Sequence, residues 1–104
     1  MLDLLDVTMR RTRNGVTVVV RGELDLETAP NFESAFDQAL ASGARRIAID
    51  LSDLEFCDSS GLRVLVTANR RCLDNDIALG IFPPTGQAIE ALRISGLSGV
   101  LPLV

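Results

Sequence analysis

The chain has no lysine, histidine, tryptophan or tyrosine, and all ten of its basic side chains are arginine. A Ser-His-Asp triad, a Cys-His pair and a Ser-Lys dyad each need a base that titrates near neutral pH, so none can be assembled within the chain. A lysine Schiff base and the phosphate-reaching lysine of a P-loop are excluded in the same way. The only thiols are Cys57 and Cys72. Without histidine they cannot complete a tetrahedral zinc site, and only carboxylate magnesium sites remain open. Two thiols in a small chain suit a reducing compartment better than a disulfide framework, and both read as buried and inert. Long apolar runs are missing too: none approaches the roughly 18 residues of a membrane span. The opening Met1-Leu2-Asp3-Leu4-Leu5-Asp6 is acidic and short, unlike a signal peptide, so a cytoplasmic protein is expected.

What is present fits one folded domain over residues 1–104. Hydrophobic residues make up 47% and charged residues 23%, which places the chain among globular rather than disordered sequences. A core burying roughly 65% of the unfolded surface is within reach at this length. The net charge of −4 argues against a nucleic-acid partner, which would favour a basic face. The cluster Arg10, Arg11 and Arg13 reads as the solvated end of a hairpin.

Periodicity organises the chain. The β-branched run Val16-Thr17-Val18-Val19-Val20 follows Asn14-Gly15, a dipeptide suited to a two-residue hairpin turn, so a first strand is expected around residues 4–10. Residues 45–51 and 77–82 are apolar enough to be central strands, and a short edge strand is expected at Val100-Leu101, before Pro102. Phe32, Ala35, Phe36, Ala39 and Leu40 keep helical spacing, with Thr28 as cap, Pro30 in the first turn and Gly43 at the end. Leu62, Leu65, Val66, Cys72 and Leu73 predict a second helix over 60–73. Ile89 and Leu92 predict a third over 86–94, stopped near Gly96. The expected class is α/β: a mixed sheet opened by a hairpin, its later strands mostly parallel, with helices packed on it. The cover of the second sheet face stays open.

In such units ligands and modifications gather at the carboxyl ends of strands, where helix N-termini present free N–H groups. Two segments fall there: Gly22-Glu23-Leu24-Asp25 and Asp58-Ser59-Ser60-Gly61-Leu62. Asp58, Ser59 and Ser60 are all good N-cap types, and a cap accounts for one of them. A hydroxyl at that turn also suits a phosphate, whose charge the helix dipole offsets in part. The residues alone leave both uses open.

Taken together, Gly22-Glu23-Leu24-Asp25 with Thr28, the stretch from Ile49-Asp50-Leu51 through Asp58-Ser59-Ser60-Gly61-Leu62, and Ile94-Ser95-Gly96-Leu97 resemble the STAS domain of bacterial anti-sigma factor antagonists. The resemblance runs from about residue 4 to the end. It implies a small, cytoplasmic, non-catalytic switch in partner exchange. The residues themselves add that no cofactor is expected, since there is no Gly-rich phosphate loop, and no membrane or nucleic-acid partner. The unphosphorylated form binds an anti-sigma factor and frees the sigma factor. The anti-sigma factor is commonly also a serine kinase that inactivates the antagonist, and a serine phosphatase resets it. Carried over by position, the phosphoacceptor is Ser59, and the partner surface comprises Asp25, Asp58, Ser59, Ser60 and Gly61. The alternative within the family is a STAS scaffold or subunit of a stress-signalling or lipid-transport ATPase complex. A receiver-like phosphoaspartate site at Asp50 and Asp25 lacks the lysine that such chemistry uses.

Overall fold

The computed structural model describes residues 4–104. β1 (Leu5–Thr12) and β2 (Gly15–Leu24) form the opening hairpin, antiparallel from Leu5 opposite Gly22 to Thr12 opposite Gly15. Along β2 the period of two is explicit: Val16, Val18 and Val20 are buried, whereas Thr17 and Val19 are half-buried. The turn departs from expectation. Its central residues are Arg13 and Asn14, neither of them left-handed, and Gly15 already belongs to β2. A Cβ on Gly15 would stand 2.0 Å from the carbonyl oxygen of Arg46. Close approach of the neighbouring strand, rather than turn geometry, requires this glycine.

α1 (Ala29–Ala41) follows, with Phe32, Phe36 and Ala39 buried and the two rings stacked at a centroid separation of 5.7 Å. Pro30 lies in its first turn, and Gly43, at φ +79°, takes the left-handed position just past its end. β3 (Arg46–Asp50) then pairs in parallel with β2, and β5 (Ala78–Phe82) in parallel with β3, so the sheet runs β1-β2-β3-β5. β3 is central as expected, but β5 is not: it ends the sheet, buries only Ile81 and leaves Phe82 exposed, because an apolar run of this length does not fix strand order.

After β3, and before the second helix, lies a strand that the periodicity missed. The Asp50 carboxylate accepts from the Ser52 amide at 2.9 Å and the Ser52 hydroxyl at 2.6 Å, which turns the chain out of line. The Ser52 hydroxyl bond holds Asp50 below the ordinary carboxylate range despite partial burial. The chain then returns as β4 (Leu54–Cys57), parallel to the carboxyl end of β2. β2 thus pairs with β3 along its first half and with β4 along its second.

α2 (Ser59–Asp74) buries Gly61, Val64, Leu65, Ala68 and Cys72. Its apolar face is therefore rotated from the expected stripe: Leu62 and Val66 are half-buried and Leu73 is exposed. α3 (Gly86–Ile94) buries Ala88 and Leu92 and lies against β4. α1 and α2 pack together on the face that buries Val18, Ile47, Ile49 and Ile81, while Thr17, Val19 and Ala48 leave the opposite face half-covered.

The expected strand at Val100-Leu101 does not form. Leu97–Gly99 make a single 3-10 turn, and the Leu101 amide donates back to the Leu97 carbonyl at 2.8 Å, so it is not free for a ladder. Sheet contact comes slightly later, where Leu103 bridges Ile81 and the Val104 amide donates to the Ile81 carbonyl at 2.9 Å. Among the described residues, no helix is long and apolar enough to cross a membrane.

Gly15→Ala is expected to cost about 2 kcal/mol or more, because backbone must move to admit the methyl group. Gly43→Ala meets open space and costs about 1 kcal/mol, for its positive φ alone. Urea midpoints of the two variants check this order.

Candidate functional site

Leu24 and Cys57 are register partners at the carboxyl ends of β2 and β4, and the Asp58 amide donates to the Leu24 carbonyl at 3.2 Å. Neighbouring strands lie about 4.8 Å apart. The next residue on each strand, Asp25 on one and Asp58 on the other, therefore leaves the sheet beside its counterpart. The two segments singled out from the sequence, far apart along the chain, meet here.

Both aspartates cap the turn that follows them. Asp25 Oδ1 accepts from the amides of Glu27 and Thr28, each at 3.0 Å. In return, Thr28 Oγ1 accepts from the Asp25 amide at 2.9 Å and donates to the Glu23 carbonyl at 2.8 Å. This reciprocal pair is a capping box with an aspartate in the leading place. Thr28, expected as the cap of α1, already has helical backbone angles and makes no cap bond from its side chain. Asp25 takes that role one turn earlier.

At the second junction, Asp58 Oδ1 accepts from the amides of Ser60 at 2.9 Å and Gly61 at 3.0 Å. Asp58 is thus the N-cap of α2, and Ser59 is its first residue, exposed and outside the cap bonds. Asp25, Asp58 and Ser60 are half-buried, whereas Gly61 is buried. A Cβ on Gly61 would lie 2.5 Å from the Leu24 carbonyl oxygen and 2.7 Å from Cys57 Sγ. Its part in the site is to let α2 sit directly on the two strand ends.

The chemistry available is that of an exposed hydroxyl at the positive end of a helix of 16 residues. The amides of Ser60 and Gly61 are already bonded to Asp58, so a phosphate on Ser59 would stand in solvent rather than be sequestered. Its surroundings are predominantly acidic: Glu23, Asp25, Glu27, Glu55 and Asp58 lie within the two segments 22–28 and 55–62, while Arg21 borders the first and Arg63 follows Ser59 by one turn of α2. Beneath them, burial and then the Asp58 charge push the Cys57 thiol up to about 12. Burial also raises Cys72, against the opposing effect of Arg71. Both free cysteines are therefore protonated at neutral pH and poor nucleophiles.

Two further residues shape the site, and sequence reasoning passed over both. The Gln87 side chain accepts from the Cys57 amide at 2.9 Å and donates to the Cys57 carbonyl at 3.2 Å. One amide side chain on α3 thereby stands in for a neighbouring strand and fixes the outer edge of β4 just before Asp58. Nothing in the local pattern marks it, because its partner is 30 residues away. Leu26 is 73% exposed in the turn capped by Asp25. An apolar residue between two acidic ones was the available signal. Among the described residues, no cluster of three or more Cys, Asp or Glu is arranged to hold a metal ion.

Asp58→Ala is expected to lower stability by about 1 kcal/mol through loss of the cap, and Asp58→Asn to retain most of it. Chemical denaturation of the three proteins reads the difference.

Comparison with known proteins agrees with this geometry. Residues 7–104 match the family described as Mlab, STAS domain. The anti-sigma-F factor antagonist RsfB of Mycobacterium tuberculosis is 30% identical over 96 residues, covering 91% of this chain and 77% of that one. The crystal structure of an anti-sigma factor antagonist from Mycobacterium paratuberculosis superposes with a TM-score of 0.84 at 29% identity, over 95% of this chain and 84% of that one. SpoIIAA shares the fold in its unphosphorylated form, with a TM-score of 0.77 at 20% identity over 95% and 88% of the two chains. The phosphorylated form from Bacillus does so at 0.70 and 21% identity, over 95% and 91%. With these relatives, and with the two aspartate-capped junctions side by side, the chain belongs to the STAS domain family of anti-sigma factor antagonists.

Proposed function

We propose that this chain is a cytoplasmic partner switch that binds an anti-sigma factor while Ser59 is unmodified and releases it when Ser59 is phosphorylated. The observation that carries this reading is the position of Ser59, exposed as the first residue of α2 while the neighbouring aspartate alone does the capping. Its hydroxyl is spared from structure, so a kinase can take it without breaking a helix cap. Relatives named as anti-sigma factor antagonists, and a protein of this fold solved in a phosphorylated form, support the same reading.

The docking face comprises Ser59 with Asp25, Asp58 and Ser60, while Gly61 sets its height and Leu26 offers apolar surface at its rim. Phosphorylation adds about −1.5 to −2 charges to this acidic end. Burying a hydrated dianion without a counter-charge is costly, and a partner carboxylate about 4 Å away adds repulsion on the order of 4 kcal/mol at an intermediate dielectric. Charge and bulk therefore suffice to end binding without refolding. On this reading the anti-sigma factor is itself the kinase, and a serine phosphatase reverses the modification.

Incubation with a serine-kinase anti-sigma factor and ATP should add one phosphate, about 80 Da by intact mass, placed on Ser59 by peptide mapping and absent from Ser59→Ala. Ser59→Ala should remain bound to the partner under those conditions, and Ser59→Asp should bind poorly. No mass gain, or a gain at another residue, would leave a constitutive docking subunit instead. Leu26→Ala should weaken partner binding about tenfold, as for an apolar contact at an interface, while leaving the urea midpoint unchanged.

A further inference from the structure

β1 forms an edge of the sheet and, among the described residues, pairs only with β2. The Glu23 amide donates to the Leu4 carbonyl at 2.7 Å, continuing the register of the hairpin. By the alternation of antiparallel ladders, the even-numbered residues of β1 turn their backbone groups toward β2, and Leu5, Val7, Met9 and Arg11 turn theirs outward. An open edge of this length, 8 residues, is a template for another strand.

The side chains along that edge are self-complementary in one register. Let a second copy pair with it antiparallel about a two-fold axis at Thr8. Asp6 of each copy then lies opposite Arg10 of the other, Val7 opposite Met9, and Leu5 opposite the long aliphatic stem of Arg11. The outward-facing residues meet one another, as ladder hydrogen bonding requires. The two Asp6–Arg10 pairs occupy non-hydrogen-bonded positions, where Cα atoms approach to about 4.5 Å. Moving the axis to Val7 or Met9 sets Asp6 against Thr8 or Thr12 and removes both ion pairs. Asp6 also faces Arg21 within its own hairpin, but Arg21 reaches toward Asp53, at 3.6 Å.

The other side of β1 agrees. Val7 is half-buried and Met9 is 39% exposed, and with Ser34 and Gln38 of α1 they line a groove whose outer wall is missing. In this register the missing wall is Val7 and Met9 of the second copy. We propose that the outer edge of β1 is a homodimer interface, on which a second copy of this chain pairs about Thr8 to make one sheet continuous across both. Thr8 is the register partner of Val19, and roughly 16 Å of strand separates Val19 from Leu24 at the Ser59 site. Two sites therefore remain open in the dimer, and the proposal stands apart from the role of Ser59.

Sedimentation velocity of the full chain over a concentration series tests it. A dimer with a dissociation constant below about 1 mM is expected. Asp6→Arg and Arg10→Asp each convert two attractive pairs into two repulsive ones, and each should weaken association about tenfold or more. The double variant should regain the wild-type affinity, and a mixture of the two single variants should form a heterodimer. Met9→Pro removes an outward amide and should abolish the dimer while leaving the pairing of β1 with β2 intact, as circular dichroism would show. A chain that stays monomeric up to about 1 mM, a dimer indifferent to both single swaps, or a double variant as weak as the singles would overturn the proposal.

Discussion

The parallel pairing of Leu24 with Cys57 is the contact on which the rest of the site depends. It brings two strand ends into register, so that the next residue of each is an aspartate and each aspartate caps a turn leading into a helix. α2 can start there only because residue 61 has no side chain: the Leu24 carbonyl and the Cys57 sulfur occupy the space a methyl group would need. Gln87 closes the outer edge of β4 with a two-point bond to Cys57, so the strand preceding Ser59 is held on both sides. A rigid base of this kind lets a single exposed hydroxyl act as a signal, since its modification need not be relayed through a conformational change.

Each aspartate in the site has its ligating oxygen committed to backbone amides. The carboxylates read from the sequence as partner-binding thus have a prior structural task, and whatever they offer a partner comes from charge and from the remaining oxygen. Ser59 differs in owing nothing to the fold. That division of labour explains how an acidic cap and a modifiable serine can be adjacent without interfering. Replacing the cap disturbs the helix start, whereas esterifying the serine disturbs the surface.

Much of the architecture was legible because burial imposes a period. The alternation in β2, the apolar run of β3, and the spacing of Phe32, Phe36 and Ala39 all report burial, whereas the equally apolar run of β5 lies at the end of the sheet with only Ile81 buried. β4 escaped because four residues with only Leu54 and Cys57 buried carry no readable period, and because the break before it is made by the two bonds that one carboxylate, Asp50, accepts from Ser52. The stripe of α2 was misplaced for a related reason. Gly61 and Ala68 count as weak hydrophobes in a sequence, yet both are buried, Gly61 directly against the Leu24 carbonyl and Cys57, while the larger Leu73 faces solvent. Gly15 was read as a turn residue because glycine serves turns and close contacts alike, and only the position of the Arg46 carbonyl distinguishes them. The site segments themselves were visible as motifs, but their adjacency follows from strand order, which no local pattern encodes.

The central claim is that a charge on Ser59 changes binding at a face whose backbone stays as it is. The most direct measurement is the affinity of the unphosphorylated and the phosphorylated chain for one anti-sigma factor, taken with amide hydrogen exchange of both forms free in solution. A loss of about three decades in affinity, with unchanged protection in β2, β4 and α2, is the expected result. Equal affinity for the two forms, or loss of protection across β4 and α2 on phosphorylation, would contradict it.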